Sequence, residues 1–258
     1  MRDMRDFTLE RYHELCLFLR EQGYSFRTVR SFLSDNREVP ERTVILRHDV
    51  DRRPGAAKRM ALLENKLGIS STYYFRYPYT FVPGIIRSIA GMGHEVGYHY
   101  EVLSKTRGDR GTALDLFQTE LREFRKIGDV RTACMHGRPL SRFDNRDLWN
   151  GVDPAAFGLV GEAYLSLQDI RYFSDTGRSW GLAPNIRDFM PGNRDRVPID
   201  TTNDLMEWIR NERIEKIYLN IHPQRWSGST LEWVFSWVED RGVNAAKTGI
   251  RVMRSCRR

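Results

Sequence analysis

The sequence predicts an α/β fold, a closed or nearly closed (β/α) barrel of about seven parallel strands. Short apolar strands alternate with helical segments along the chain, and this order indicates parallel pairing with right-handed crossovers. A length of 258 residues with 40% hydrophobic side chains suits one barrel domain spanning residues 1–258. Polar clusters also follow several predicted strands, at the end where the mouth of a barrel lies. An open doubly wound sheet is the alternative.

Capping signals and hydrophobic periodicity place the elements of the first half. Thr8 can cap a helix within residues 8–22, which is expected to cover one end of the domain. Glycines at positions 23 and 68 follow the ends of predicted helices. The elements predicted next are strand 43–46, helix 56–67, strand 71–75, helix 83–90, strand 95–100, helix 112–126 and strand 131–136.

The second half is less regular. The stretch 184–200 is rich in Pro, Asn, Arg and Asp without periodicity, which predicts a long surface loop bordering the site. Ser229 and Glu232 form a capping box before the last predicted helix. The predicted elements of this half are helix 154–157, strands 163–165 and 171–173, helix 204–211, strand 216–222 and helix 231–240.

Composition limits the function classes. A net charge of +7 permits an anionic partner, such as nucleic acid, a membrane surface or a phosphorylated substrate. Acids lie between the basic residues except at 251–258, so nucleic acid is not favoured. Three cysteines without metal-site spacing indicate a reducing compartment. With no apolar leader or membrane span visible, we expect a soluble cytoplasmic protein.

Two aspartates close the first predicted barrel strand. The apolar run 43–46 leads into Arg-His-Asp-Val-Asp at 47–51, and Pro54 then ends strand pairing. If the chain stays extended, Asp49 and Asp51 lie on one face. Carboxylates this close repel each other unless a metal ion or a shared proton intervenes, so the pair predicts a functional site. A turn neutralised by neighbouring arginines is the alternative.

Histidines follow two further predicted strands. His99 and Glu101 share a strand face, and a His/carboxylate pair at this spacing can ligate zinc or another divalent ion. A hydrogen-bonded histidine beside a surface glutamate is the alternative. His136 ends the next strand and precedes Gly137, which permits close approach of a substrate. His136 is therefore a candidate ligand or substrate-binding residue.

A further histidine closes the last predicted strand. His222 lies on a polar face with Tyr218 and Asn220 and precedes Pro223. Because histidine can give up a proton at neutral pH, His222 is suited to general acid catalysis at the mouth of a barrel. His94 opens its strand after a glycine turn and is predicted to be structural.

These motifs, in this order, resemble the polysaccharide deacetylase family, which is carbohydrate esterase family four with the NodB-homology fold. The matching segments are Arg-His-Asp-Val-Asp at 47–51, Gly-His-Glu-Val-Gly-Tyr-His at 93–99 and Leu-Asn-Ile-His-Pro at 219–223. The resemblance covers most of residues 40–225. It implies a distorted (β/α) barrel that removes N- or O-acetyl groups from sugars with a divalent metal ion.

The resemblance also implies residue roles. Asp49 matches the catalytic base, Asp51 the metal carboxylate, His99 the first metal histidine and His222 the catalytic acid. The segment 136–139 stands where the family carries an Arg-Pro motif, so Arg138 is a candidate to orient the base and to contact substrate. Asp175 and Trp180 match the region that lines the substrate groove.

This chain departs from the family pattern at two positions. Val50 separates the two aspartates, which are adjacent in the family, so their roles could be exchanged. Leu103 stands where a second metal histidine is expected. Either Glu101 or His136 must then be the third ligand, or the metal is weak or absent. The chain is accordingly predicted to be a divergent member.

The predicted reaction is metal-assisted hydrolysis, most simply with Zn²⁺, of an acyl group on a sugar or glycan precursor of a surface polysaccharide. Asp49 takes a proton from water and His222 protonates the leaving group. The expected partner is a carbohydrate or a nucleotide- or lipid-linked sugar, whose phosphates would suit the basic surface.

Two other function classes stay open. A metal-free carbohydrate-binding or scaffold protein on the same barrel is possible because of Leu103. A nucleic-acid-binding protein is suggested only by charge and the tail 251–258.

Overall fold

A computed structural model describes residues 5–34, 40–138, 141–181, 187–190 and 199–255, with backbone alone from residue 243 onward. The eight strands are β1 Ser25–Arg27, β2 Thr43–Val50, β3 Thr72–Phe75, β4 Glu95–Tyr100, β5 Thr132–Met135, β6 Gly161–Glu162, β7 Arg171–Ser174 and β8 Lys216–Ile221. The α-helices are α1 Leu9–Glu21, α2 Val29–Ser34, α3 Pro54–Lys66, α4 Pro83–Gly91, α5 Val102–Lys105, α6 Arg110–Arg125, α7 Thr202–Glu212 and α8 Thr230–Ser255.

The strands form one parallel sheet curled into a half-barrel. Its order is β6-β5-β4-β3-β2-β8-β7, and β1 pairs with the first residues of β2. Within the described residues no pairing joins β6 to β7, so the barrel is distorted and open between them. The predicted fold class, a distorted barrel of about seven parallel strands, is confirmed.

The strand β2 lies inside the sheet between β3 and β8, and all eight of its residues are buried. Its neighbours β3 and β8 run parallel to it, so the ends of these strands lie at the same edge of the sheet. Pro54 cannot continue the ladder and instead begins α3. This places the residues that follow β2 at the mouth of the half-barrel.

Two predicted elements differ from the structure. Residues 163–165 form a turn, because the Glu162 carboxylate accepts hydrogen bonds from the backbone N–H groups of Tyr164 (2.7 Å) and Leu165 (3.0 Å) and bends the chain after β6. The last helix extends to Ser255, well beyond the predicted range 231–240. Most of the predicted loop 184–200 and the predicted turn residues 35–36 lie outside the described residues.

The core of the described residues consists of two hydrophobic clusters. One hydrophobic cluster packs α6 against β4 and β5 and includes Phe117 and Phe124. The other packs α1 and α7 against β2 and β8 and includes Leu15 and Leu205. The first cluster also includes Tyr164 and Tyr218, which contact Arg47 on the concave side of the sheet.

Candidate metal centre and active site

A cavity lies at the carboxyl ends of the strands, and most of the residues predicted to be functional line it. They come from β2, β4, β5 and β8 and from the segments that follow these strands. The lining residues are Asp49, Asp51, His99, Met135, His136, Gly137, Arg138, Tyr164, Thr176, Arg187, Asp188, His222 and Arg225.

The carboxylate of Asp49 is held by the guanidinium group of Arg47. Arg47 donates from Nε to Oδ1 (2.9 Å) and from Nη2 to Oδ2 (2.8 Å), and both side chains are buried. Asn220 Nδ2 donates to the same Oδ2 at 3.1 Å. These three donors fix the carboxylate in one orientation at the wall of the cavity.

Two histidine nitrogens lie close to one oxygen of Asp51. Asp51 Oδ1 lies 3.3 Å from His99 Nε2 and 3.6 Å from His136 Nε2. His99 Nδ1 lies 3.0 Å from the carbonyl oxygen of Cys134, so this nitrogen carries the proton and Nε2 of the neutral ring is an acceptor. Asp51 Oδ1 is buried without a hydrogen-bond partner. Acceptors gathered in this way fit a cation, and two imidazoles with a carboxylate are a common zinc ligand set.

Charges at this centre shift several pKa values. Burial tends to raise the pKa of Asp51, but the histidines at positions 136, 99 and 222 lower it well below its usual value. Burial tends to lower the pKa of His99, but Asp49 and Asp51 together raise it. For His136, burial dominates and lowers the pKa, which favours the neutral ring that a metal requires.

Glu101 orients His136. Its Oε2 accepts a hydrogen bond from His136 Nδ1 at 2.9 Å, and its Oε1 accepts one from Arg76 Nη2 at 2.8 Å. Burial raises the pKa of Glu101, but His136 and Arg76 outweigh it and bring the value to about 2. The ionised carboxylate therefore turns His136 Nε2 toward Asp51, as outer-sphere carboxylates do at metal sites.

His222 lies on the other side of Asp51 and forms a pair with a buried aspartate. Its Nδ1 donates to Asp175 Oδ1 at 2.6 Å, and its Nε2 faces Asp51 Oδ2 at 3.7 Å. Asp175 also accepts from Arg225 Nη1 and Trp226 Nε1, each at 2.8 Å. Burial raises the pKa of Asp175, but Arg225 and His222 outweigh it and lower the value. The ionised Asp175 therefore fixes the His222 ring with Nε2 toward the cavity.

A second group of possible ligands lies deeper in the barrel. Ligand atoms of Asp49, His99 and Cys134 all lie within 4.8 Å of one another. Burial raises the pKa of the Cys134 thiol well above its usual value, and Asp49 already accepts two hydrogen bonds from Arg47. This group therefore has fewer free lone pairs than the one around Asp51.

The predicted substrate-binding residues have different surroundings. Arg138 lines the cavity, and its Nη1 lies 3.8 Å from Glu101 Oε2, so it is Arg47 that holds the predicted base. Asp175 is fully buried behind His222. Trp180 is a core residue, 1% exposed, whose Nε1 donates to Thr202. Neither Asp175 nor Trp180 lines the cavity.

Sequence reasoning missed several polar residues of the site, among them Arg47, Asn220 and Asp188. Arg47 precedes Asp49 by two positions on the same strand face, so period-two reading could have found it. Asn220 was placed on the polar face of β8 without a role. Asp188 lies in the predicted loop 184–200 and accepts hydrogen bonds from Tyr164 (2.7 Å) and from further hydroxyl groups around it.

The remaining buried histidines lie on the opposite face of the sheet. His48 Nε2 lies 2.6 Å from Glu64 Oε1. His94 contacts the backbone of Ala61 and Ser71, at 3.1 Å and 3.3 Å. Both face α3 and do not line the cavity, which agrees with the structural role predicted for His94.

Comparison with known proteins gives similarity of structure only. No family model matches the chain, and no curated protein matches it in sequence. One similar solved structure is a carbohydrate esterase family 4 pseudoenzyme from Bacillus anthracis, with a TM-score of 0.46 and 14% identity over 80% of this chain. A family 4 carbohydrate esterase from the same organism has a TM-score of 0.44 and 12% identity over 92% of this chain. An esterase of that family from Streptococcus mutans has a TM-score of 0.41 and 14% identity over 74% of this chain. The matches cover 62%, 85% and 89% of those chains.

These similar structures come from the family that the motifs resemble. At identities of 12–14% the likeness concerns the backbone fold and carries no residue's role. The chain spans 62% of the length of the first of them.

Proposed function

We propose that this protein is a metal-dependent hydrolase that removes an N- or O-acyl group, such as acetyl, from a carbohydrate. One observation carries the proposal: the unpartnered Asp51 oxygen converges with two histidine nitrogens, between Asp49 on one side and His222 on the other. A cation site flanked by a carboxylate and a histidine is the arrangement that metal-assisted hydrolysis requires.

Asp51, His99 and His136 would hold the ion. Glu101 serves as the outer-sphere partner of His136, because both of its oxygens already accept hydrogen bonds. We therefore propose His136, and not Glu101, as the third ligand, and Asp51, and not Asp49, as the metal carboxylate. When bound, a divalent ion such as Zn²⁺ polarises the acyl carbonyl and makes water more acidic.

The chain's own groups then move the protons. Asp49, fixed by Arg47 and Asn220, accepts the proton of the attacking water. His222 donates the Nε2 proton of its charged form to the departing nitrogen or oxygen, while Asp175 stabilises that charged ring. Arg138, at the edge of the cavity, is available to contact the sugar.

The finer identity of the substrate is part of the same proposal. A net charge of +7 favours a negatively charged glycan precursor, which includes a nucleotide- or lipid-linked sugar of surface polysaccharide synthesis. Cys16 and Cys134 are free and buried, which supports action in the cytoplasm.

A metal-free carbohydrate-binding or scaffold protein is the second candidate. The observation that favours it is Leu103, which is buried where the family resemblance expects a metal histidine. Metal content decides between the two candidates.

The test combines metal analysis with acyl release. Purified protein, stripped and then dialysed against Zn²⁺, is expected to retain about one ion per chain and to release acetate from N-acetylated oligosaccharides. Protein that retains no metal and releases no acyl group would leave the binding or scaffold function.

Matched variants identify the ligands. His136→Ala should abolish retention of the ion, whereas Glu101→Gln should weaken it by about 10–100-fold. Cys134→Ala should leave it unchanged. Loss of metal in Cys134→Ala with retention in His136→Ala would move the site to the deeper group.

A further inference from the structure

The long C-terminal helix α8 leaves an apolar stripe in solvent. Leu231, Val234, Phe235 and Val238 are 73%, 45%, 66% and 57% exposed. Their spacing of three and four residues puts them on one face of the helix. A contiguous exposed stripe of large apolar side chains marks an interaction surface more often than scattered surface residues do.

The opposite face of α8 holds the helix to the body of the protein. Trp233 Nε1 donates to the carbonyl oxygen of Asp6 at 2.7 Å. Ser236 Oγ donates to the carbonyl oxygen of Gln224 at 3.0 Å, and Asp240 accepts from Arg178 Nε at 2.9 Å. Because these polar contacts fix the orientation, the apolar stripe faces away from the protein core.

The helix also changes charge along its length. From residue 241 to the end of the chain the sequence contains no acidic side chain. The basic residues of this segment are Arg241, Lys247, Arg251, Arg254, Arg257 and Arg258. The backbone continues as helix to Ser255. The half of α8 with the apolar stripe is therefore followed by a half in which every charged residue is basic.

The acids of the first half of α8 are already neutralised within the chain. Glu232 pairs with Arg59 at 3.1 Å, and Glu239 pairs with Arg53 at 2.6 Å. If a second copy of α8 packed against this helix, the basic half would therefore meet either other basic residues or acidic residues that already have a partner. The partner surface of α8 must be negatively charged and must also have an apolar layer that can bury Leu, Val and Phe side chains.

We propose that α8 is an interfacial helix that attaches the protein to an anionic membrane surface. Within the described part of the chain no helix has the length and apolar character to cross a bilayer. A helix with Leu, Phe and Val on one side and a cluster of basic residues instead lies in the headgroup region, where apolar burial and attraction to anionic lipids add. This inference is independent of the proposed hydrolysis.

Sedimentation of the full chain with lipid vesicles tests the proposal. The protein should bind vesicles of equal parts phosphatidylcholine and phosphatidylglycerol, should not bind phosphatidylcholine alone, and should dissociate as salt rises. Leu231→Asp and Phe235→Gln should each weaken binding by about tenfold or more. Both positions are exposed, so the fold should persist.

The matched control is Leu62→Asp, an exposed leucine on α3 at 42% exposure, which should bind like the wild type. Joint replacement of Lys247, Arg251 and Arg254 by glutamine should abolish the salt dependence. Absence of vesicle binding would overturn the proposal, and so would equal binding by Leu231→Asp and wild type. A dimer in light scattering that Leu231→Asp dissolves, without vesicle binding, would assign the stripe to a second copy.

Discussion

Arg47 carries a positive charge into the concave side of the half-barrel. It is fully buried, and its guanidinium carbon lies 4.2 Å and 5.3 Å from the ring centroids of Tyr164 and Tyr218. Burial lowers the pKa of Arg47, but Asp49 and other neighbours outweigh it, so the group stays charged. Asp49 is thus at once the partner of a buried cation and the proposed base.

This double role predicts two effects of Asp49→Asn. Loss of the carboxylate leaves Arg47 buried without a counter-charge, which should cost about 3–5 kcal/mol of unfolding free energy. Turnover should fall by about 10²–10⁴-fold, because the amide cannot accept the proton of water. Urea denaturation and acyl-release rates measure the two effects.

Asp51→Asn is the matched comparison, because it leaves the buried Arg47–Asp49 pair intact. It should lose metal affinity while the Arg47–Asp49 pair stays in place. Wild-type turnover in Asp49→Asn would reassign the base, most simply to Asp51.

A separate prediction concerns His222 as the acid. His222→Ala should retain the ion, since Asp51 and the two other histidines hold it, and should lose about 10²–10⁴-fold in rate. Aryl esters, whose leaving group needs no proton, should lose much less. Metal analysis and rates on an acetamido sugar and an aryl acetate measure this, and an equal loss on both substrates would count against the role.

At the level of elements, β2 presents two polar faces. Asp49 and Asp51 lie on the side of His99, as the period-two reading of this strand predicts. His48 points the other way, to Glu64 on α3. Glu64 is fully buried and also accepts from the hydroxyl groups of Ser71 (2.6 Å) and Tyr73 (2.8 Å), so one carboxylate ties α3 to the outer side of the sheet.

This link predicts an acid-sensitive stability. Burial raises the pKa of Glu64, but His48, His94 and the Ser71 hydroxyl outweigh it and lower the value from 4.5 to about 2. A folded-state pKa below the unfolded value adds stability above the unfolded pKa, and this stability is lost as pH falls toward about 2. The wild type should therefore lose up to ~3 kcal/mol more than Glu64→Gln between about pH 5 and pH 2.

Urea titrations at several pH values compare the two proteins. Glu212→Gln, an exposed position at the end of α7, should keep the wild-type pH dependence. Parallel pH curves for the wild type and Glu64→Gln would show that Glu64 does not link α3 to the sheet electrostatically.

At the level of the whole molecule, the proposed metal ligands come from strands that are distant in sequence. Asp51 follows β2, His99 lies on β4 and His136 follows β5. An ion that binds all three joins these elements only in the folded state, so binding must stabilise the fold. The unfolding temperature with and without the ion therefore reports whether the site binds it.

We expect Zn²⁺ at about 100 times its dissociation constant to add ~2.7 kcal/mol and to raise Tm by about 5–10 °C. Asp51→Ala should show no such rise. Ca²⁺, which prefers a larger set of oxygen ligands, should have little effect on the wild type. Differential scanning calorimetry measures the shifts, and an unchanged Tm with Zn²⁺ would contradict the site.

The sequence alone determined the alternation of strands and helices, the position of β2 and five of the residues at the mouth. These depend on local periodicity, on proline and on capping residues, which act within a few positions. Asp49, Asp51, His99, His136 and His222 were all found in this way. The turn after β6 was not predicted, because the side chain of Glu162 bends the backbone there.

Tertiary structure decided which of these residues contact one another and which are buried away from the cavity. Glu101 and His136 are both possible ligands in sequence, and only their 2.9 Å contact makes one the partner of the other. Asp175 and Trp180 match groove residues in sequence, yet folding buries both. Such choices depend on which strands become neighbours in the sheet and on the resulting burial, and neither is encoded in the spacing of residues along one strand.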